Sequence, residues 1–111
     1  MTESIFSFGT LRSEAVQRSV FGELMPSKPD SLAGWVIAPV PILDPTVIAI
    51  SGTDSHPGLV PTGNQTDVVN GSVLDVTTDQ LAAADDYERA SFHRIEVTLV
   101  SGKSAWTYVP K

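Results

Sequence analysis

Apolar and polar positions change rhythm several times along this chain, and each change predicts an element. Residues 4–8, Ser-Ile-Phe-Ser-Phe, form a short apolar run that reads as a strand. Past Phe8-Gly9-Thr10-Leu11, Val16, Val20 and Leu24 recur at four-residue spacing and predict one face of a helix. Ser13 is placed to cap that helix, and Glu14 falls in its first turn, where the helix dipole favours an acid. Pro26 and Pro29 are expected to end it. Leu32 to Val40 reads as a strand broken by Gly34, with Pro39, Pro41 and Pro45 holding the region at a sheet edge or in a loop.

The second half is punctuated more clearly. Residues 46–51, Thr-Val-Ile-Ala-Ile-Ser, are β-branched and apolar and read as a buried strand. Residues 52–67 are rich in Gly, Pro, Asn and Asp and read as a long loop, a type that in small domains tends to carry function. Residues 68–77 read as a strand in which Gly71 marks a bulge or a close approach. Thr77 and Gln80 have capping-box spacing and open a helix that runs to about Ala90. In 92–100 the alternation puts Ile95, Val97 and Leu99 on one side; 101–103 is a hairpin turn and 104–109 its return strand. The sum is about six strands and two helices, with few helices between strands. That is α+β with a mixed or antiparallel, barrel-like sheet. With neither a repeat nor a linker, residues 1–111 read as one domain.

Composition narrows the function. The chain has 111 residues, 41% of them hydrophobic and 18% charged, which favours a packed core over disorder. It has no cysteine, which removes disulfides and thiolate chemistry and fits a reducing compartment. A net charge of −6 argues against nucleic acid and anionic membrane as partners. No apolar run has the length of a membrane span. Glu3 stands where a signal peptide would be basic, so a cytoplasmic location is expected. The glycosylation patterns at Asn64 and Asn70 are read as chance matches.

Two positions attract chemical interest. Leu81, Ala84 and Glu88 share one helical face, so Glu88 is expected to point inward or into a cleft, among Asp85, Asp86 and Arg89. Desolvation raises the pKa of such a carboxyl, and a raised carboxyl can exchange protons near neutral pH. The alternative is a structural glutamate paired with Arg94 or Arg12. At the Phe8–Leu11 turn, Gly9 allows backbone N–H groups to approach a ligand, and Thr10 adds a hydroxyl. Donors at a strand end beside an incoming helix suit an anion or oxyanion. The alternative is a plain strand-to-helix turn. His56 reads as a loop residue and His93 as partly buried. The two histidines lack metal-ligand spacing, so no metal site and no cofactor are expected. Trp35, Trp106 and Tyr108 read as core or cleft-wall aromatics.

Taken in order, "SIFSFGTL", "SLAGW", "HPGLVP", "VNGSVLDVT", "LAAADDYERASFHRIEV" and "AWTYV" resemble the gamma-glutamylcyclotransferase-like family, also known for plant avirulence-induced proteins. The resemblance covers nearly the whole chain. It implies a small mixed barrel flanked by two helices, with a cavity at one end. It also implies release of 5-oxoproline from a γ-glutamyl amine or peptide, a small-molecule substrate, without cofactor. On this likeness Phe8, Gly9, Thr10 and Leu11 occupy the substrate-holding turn, Glu88 occupies the proton-moving position, and Phe92 lines the cavity.

This chain departs from the family pattern in three places. Phe8 and Phe92 stand where tyrosine is common, and Arg89 stands where glycine is common. The first two remove hydroxyls, and the third narrows or charges the rim. A non-catalytic small-ligand module that keeps the cavity is therefore the competing reading, with a protein-contact domain as a third.

Overall fold

The computed structural model describes residues 2–41, 45–52, 55–89 and 91–111. A five-stranded sheet forms its centre, built from β1 (Thr2–Ser7), β2 (Ser27–Ala33), β5 (Val68–Thr77), β6 (Phe92–Thr98) and β7 (Ser104–Pro110). The strand order is β2-β5-β1-β7-β6, antiparallel throughout except that β1 and β7 run parallel. A separate ribbon pairs β3 (Trp35–Pro41) with β4 (Ser55–Pro61). Among the described residues there are three α-helices, α1 (Glu14–Phe21), α2 (Pro45–Ser51) and α3 (Thr78–Glu88), and a single 3-10 turn at Thr10–Arg12. Among the described residues the strands leave the barrel unclosed. No helix there is long and apolar enough to cross a membrane.

Strand alternation explains how the layers stack, because neighbouring side chains leave a strand on opposite faces. Ile5, Leu74 and Tyr108 point to one side and meet Leu11, Phe21, Leu81 and Ala84 from the turn, α1 and α3. Phe6, Val73 and Val109 point to the other side and meet Leu32, Leu59 and Leu99. The sheet therefore has α1 and α3 on one face and the ribbon's Leu59 on the other. Each apolar face is removed from water, which supplies the main drive for this arrangement.

Several expected boundaries hold and several move. β5 spans 68–77 as expected, and the Thr77–Gln80 capping box is formed, with reciprocal bonds of 2.8 and 3.1 Å. Gly71 is a close-approach site: a Cβ there would run into the Ser7 carbonyl oxygen and the Phe6 ring. Gly34, at φ +89, divides the expected 32–40 strand into β2 and β3, and β2 reaches back to Ser27. Pro39 and Pro41 sit in the ribbon, where every strand is an edge that tolerates a missing donor.

The helix expected to run to Leu24 stops at Phe21, because Gly22 takes the left-handed conformation (φ 82) and its amide closes on Arg18. Leu24 is exposed as a result, and Gln17 and Phe21 are buried instead. Gln17 holds its place by bonding the Leu11 carbonyl and the Met25 amide. Ser13 occupies the cap position but makes no side-chain cap bond.

Two readings in the middle of the chain are overturned. Residues 46–51 are the helix α2 and not a strand. Pro45 begins it, where a missing N–H costs nothing, and the Gly52 amide ends it on Ile48. A short apolar run has no periodicity with which to tell the two apart. The expected 52–67 loop contains β4, whose register with β3 pairs Gly58 with Ala38 and Pro57 with Pro39. His56 therefore has strand backbone; its side chain lies outside the described residues, as does Ala90. His93 is exposed, because β6 is the edge of the sheet.

Candidate functional site

Where β1 runs out, the chain makes a tight corner: Arg12 donates to the Gly9 carbonyl and Ser13 to that of Thr10. The corner leaves a cavity of about 200 Å³ against the end of α3, the start of β6 and the adjacent part of β7. The parallel pairing of β1 with β7 at Ile5 and Trp106 brings Thr107 and Tyr108 beside Phe6 and Ser7. Pro57 of the ribbon completes the wall. Phe8, Gly9, Thr10, Leu11, Glu88 and Phe92, the six residues singled out in the sequence, all line this one space.

Glu88 is the last residue of α3, half-buried on the Leu81/Ala84 side. Burial pushes its carboxyl up from 4.5 to about 7. The carbonyl end of α3 acts in the same direction. Its carboxylate makes no ion pair and no hydrogen bond among the described residues. Arg94, one of the two partners considered, pairs with Asp85 instead, at 3.4 Å. A half-buried carboxyl with an unshifted structural role would have a cation beside it. This one faces the cavity.

The backbone donors of the turn are not equivalent. The Gly9 amide is already taken by the Ser7 hydroxyl oxygen at 3.2 Å. The Thr10 and Leu11 amides have no partner among the described residues. Thr10 is exposed, so it stands at the rim and not at the floor. Its hydroxyl meets the Tyr87 hydroxyl at 3.1 Å, linking the turn to α3.

Ser7 and Thr107 are wall residues that the sequence reading did not select, and Tyr108, read there as a core or cleft-wall aromatic, lines the cavity with them. Their protons are allocated differently. Thr107 donates to the Phe6 carbonyl at 3.0 Å, and Tyr108 donates to Asp85 at 2.7 Å. Burial, then the Asp85 carboxylate, push the Tyr108 phenol above its usual range, so it remains protonated. Ser7 accepts a bond and keeps its own proton to give. The one visible signal for Ser7 was a hydroxyl inside an otherwise apolar run, Ile5-Phe6-Ser7-Phe8. Arg89 does not line the cavity; it lines a neighbouring groove that shares Phe92 and Tyr108 with it.

Comparisons with known proteins agree with this architecture. Two Arabidopsis thaliana proteins solved in solution have the same fold, each with a TM-score of 0.76. The first is 21% identical over 99% of this chain and 62% of its own length. The second is 20% identical over 98% of this chain and 68% of its own. This chain thus spans less than two-thirds of the first relative. A gamma-glutamyl cyclotransferase also superposes with a TM-score of 0.76, at 13% identity, over 100% of this chain and 68% of that one. These identities speak to fold alone. No curated protein matches in sequence. The family model for gamma-glutamyl cyclotransferase, AIG2-like, proteins matches residues 5–111, and the chain belongs to that family.

Proposed function

We propose that this protein is a gamma-glutamyl cyclotransferase that releases 5-oxoproline from a γ-glutamyl amine or peptide. The observation that carries the reading is the unpaired, half-buried Glu88 carboxyl across the cavity from the Gly9–Leu11 turn. The reaction is an intramolecular aminolysis. The α-amine attacks the γ-carbonyl carbon of its own glutamyl group, a C–N bond forms, and the γ-oxygen becomes an oxyanion. On collapse the bond to the departing nitrogen breaks. The lactam nitrogen keeps one hydrogen, and the two it sheds end on the departing amine, which leaves as an ammonium ion.

Each step has a residue suited to it. Glu88, with a pKa near 7, takes protons from the α-ammonium and returns them to the departing nitrogen. The Thr10 and Leu11 amides are donors for the oxyanion. The Ser7 hydroxyl gives a further hydrogen bond to a polar end of the substrate. Ring closure joins two parts of one molecule, so holding the chain folded over supplies much of the rate.

The apolar faces of Phe8 and Phe92 favour a second reading, a module that binds a small ligand without turning it over. A 5-oxoproline release assay across γ-glutamyl amines and peptides separates the two. Release that depends on Glu88 supports the enzyme. Binding without release supports the module.

A further inference from the structure

α1 buries two side chains, Phe21 and Gln17, and the second is polar, with 6% of it exposed. Gln17 does not line the cavity. Both ends of its carboxamide are spent on backbone: Nε2 donates to the Leu11 carbonyl at 2.9 Å, and Oε1 accepts the Met25 amide proton at 3.0 Å. An apolar residue would serve burial better at this position. A buried carboxamide is tolerated because its bonds are made.

The cavity turn has need of the first bond. Two of its carbonyls close on local backbone, Gly9 with the Arg12 amide and Thr10 with the Ser13 amide. No backbone N–H reaches the Leu11 carbonyl among the described residues. Leu11 is buried, so water does not replace the missing donor, and Gln17 supplies it. The Tyr87 hydroxyl braces Thr10 from α3, but that contact is exposed and competes with solvent. The buried bond is the stronger constraint.

Each peptide unit turns as a plane, so a held carbonyl fixes the backbone on both sides of it. The Leu11 side chain is held as well, in the core between the sheet and the helices. With both fixed, the preceding peptide, which carries the Leu11 amide, has little room to rotate. We infer that Gln17 is a positioning residue, which holds the Thr10 and Leu11 amides aimed into the cavity. This rests on the cyclotransferase reading, in which those amides meet the oxyanion. Gln17 touches no reacting atom. Its effect falls on the transition state, where the negative charge on oxygen develops.

The test is Gln17→Met, which keeps the side chain's length and loses both bonds. In the 5-oxoproline release assay, run well below the thermal midpoint, kcat should fall by about ten- to a hundredfold, with KM changed by less than about threefold. Val76→Ala, a core truncation away from the cavity, is the control: it should lower the thermal midpoint and leave kcat in place. A kcat for Gln17→Met within about twofold of wild type, or an equal loss in Val76→Ala, overturns the inference. NMR relaxation dispersion on the wild type needs no variant. It should be flat at the Thr10 and Leu11 amides, and exchange there overturns the inference. If the wild type releases no 5-oxoproline, the cyclotransferase reading fails, and a titration with 5-oxoproline itself decides the role of Gln17. Shifts at the Thr10 and Leu11 amides in wild type and Val76→Ala, lost in Gln17→Met, support it. Shifts that persist in Gln17→Met, or that never occur in wild type, overturn it.

Discussion

The Ser7 hydroxyl oxygen accepts the Gly9 amide proton at 3.2 Å, across the corner where β1 gives way to the turn. That bond fixes the oxygen and leaves the hydroxyl proton available to the cavity, while Thr107 and Tyr108 spend theirs elsewhere. Ser7→Ala should therefore lower kcat/KM by about three- to tenfold, the worth of one neutral hydrogen bond. The thermal midpoint should also fall, since alanine leaves the part-buried Gly9 amide without its acceptor. An unchanged kcat/KM would show that the proton never meets substrate.

Glu88 should govern the pH profile of turnover. With its carboxyl at about 7, kcat/KM is expected to rise with pH through that value, as the base form appears. Glu88→Gln should reduce turnover by about 10²–10⁴-fold and remove this limb of the profile, with the fold intact by circular dichroism. A variant that retains full turnover would rule out Glu88 as the proton carrier.

The same carboxyl ties stability to pH. Its folded value, about 7, lies above the unfolded 4.5, so the fold favours the protonated form. The associated stability is fully present below 4.5 and is lost as pH rises through about 7. Denaturant midpoints of wild type and Glu88→Gln, followed across that window, should diverge with the wild type falling. Parallel curves would place the carboxyl in solvent.

Phe8 and Phe92 line the cavity as an apolar wall, at positions where the family resemblance leads one to expect tyrosine. A hydrogen bond to a charged substrate group is worth about 1.5–3 kcal/mol. Phe8→Tyr with Phe92→Tyr should raise cyclotransferase turnover by about tenfold or more per contact restored. No gain across a γ-glutamyl panel, with the fold intact, would favour the binding module.

Gly71 holds β5 close to the cavity floor. An added Cβ would come within 2.8 Å of the Phe6 ring and would strike the Ser7 carbonyl oxygen. Gly71→Ala should destabilise by about 1–3 kcal/mol, as overpacking does. It should also weaken turnover, because Phe6 and Ser7 line the cavity. A thermal melt and the release assay check both.

Much of this molecule was legible without coordinates, where local rules suffice. The capping box at Thr77 and Gln80 uses residues three apart, and the α3 face follows from Leu81, Ala84 and Glu88 alone. The Ser101–Lys103 hairpin depends on its own turn. The direction in which Glu88 points needs only helical periodicity. What covers it needs the tertiary structure: the choice of Asp85 over Glu88 as the partner of Arg94 depends on where β6 lies against α3. Residues 46–51 failed as a strand because an apolar hexamer has no local signal stronger than its flanks. β4 was hidden by its prolines, which only a two-stranded ribbon accommodates.

The sequence by itself determined that a glycine and a polar residue follow the first strand, and that a carboxyl lies on the inner face of the last helix. Only the tertiary structure decided that they meet. Parallel pairing of β1 with β7 joins chain segments about a hundred residues apart, placing Ser7 beside Thr107 and Tyr108, and no local pattern encodes such a pairing. It also decided that Gly9 spends its amide on Ser7 while Thr10 and Leu11 keep theirs. Hydrogen-bond allocation of this kind depends on three-dimensional position, because a donor is free only when nothing within reach accepts from it.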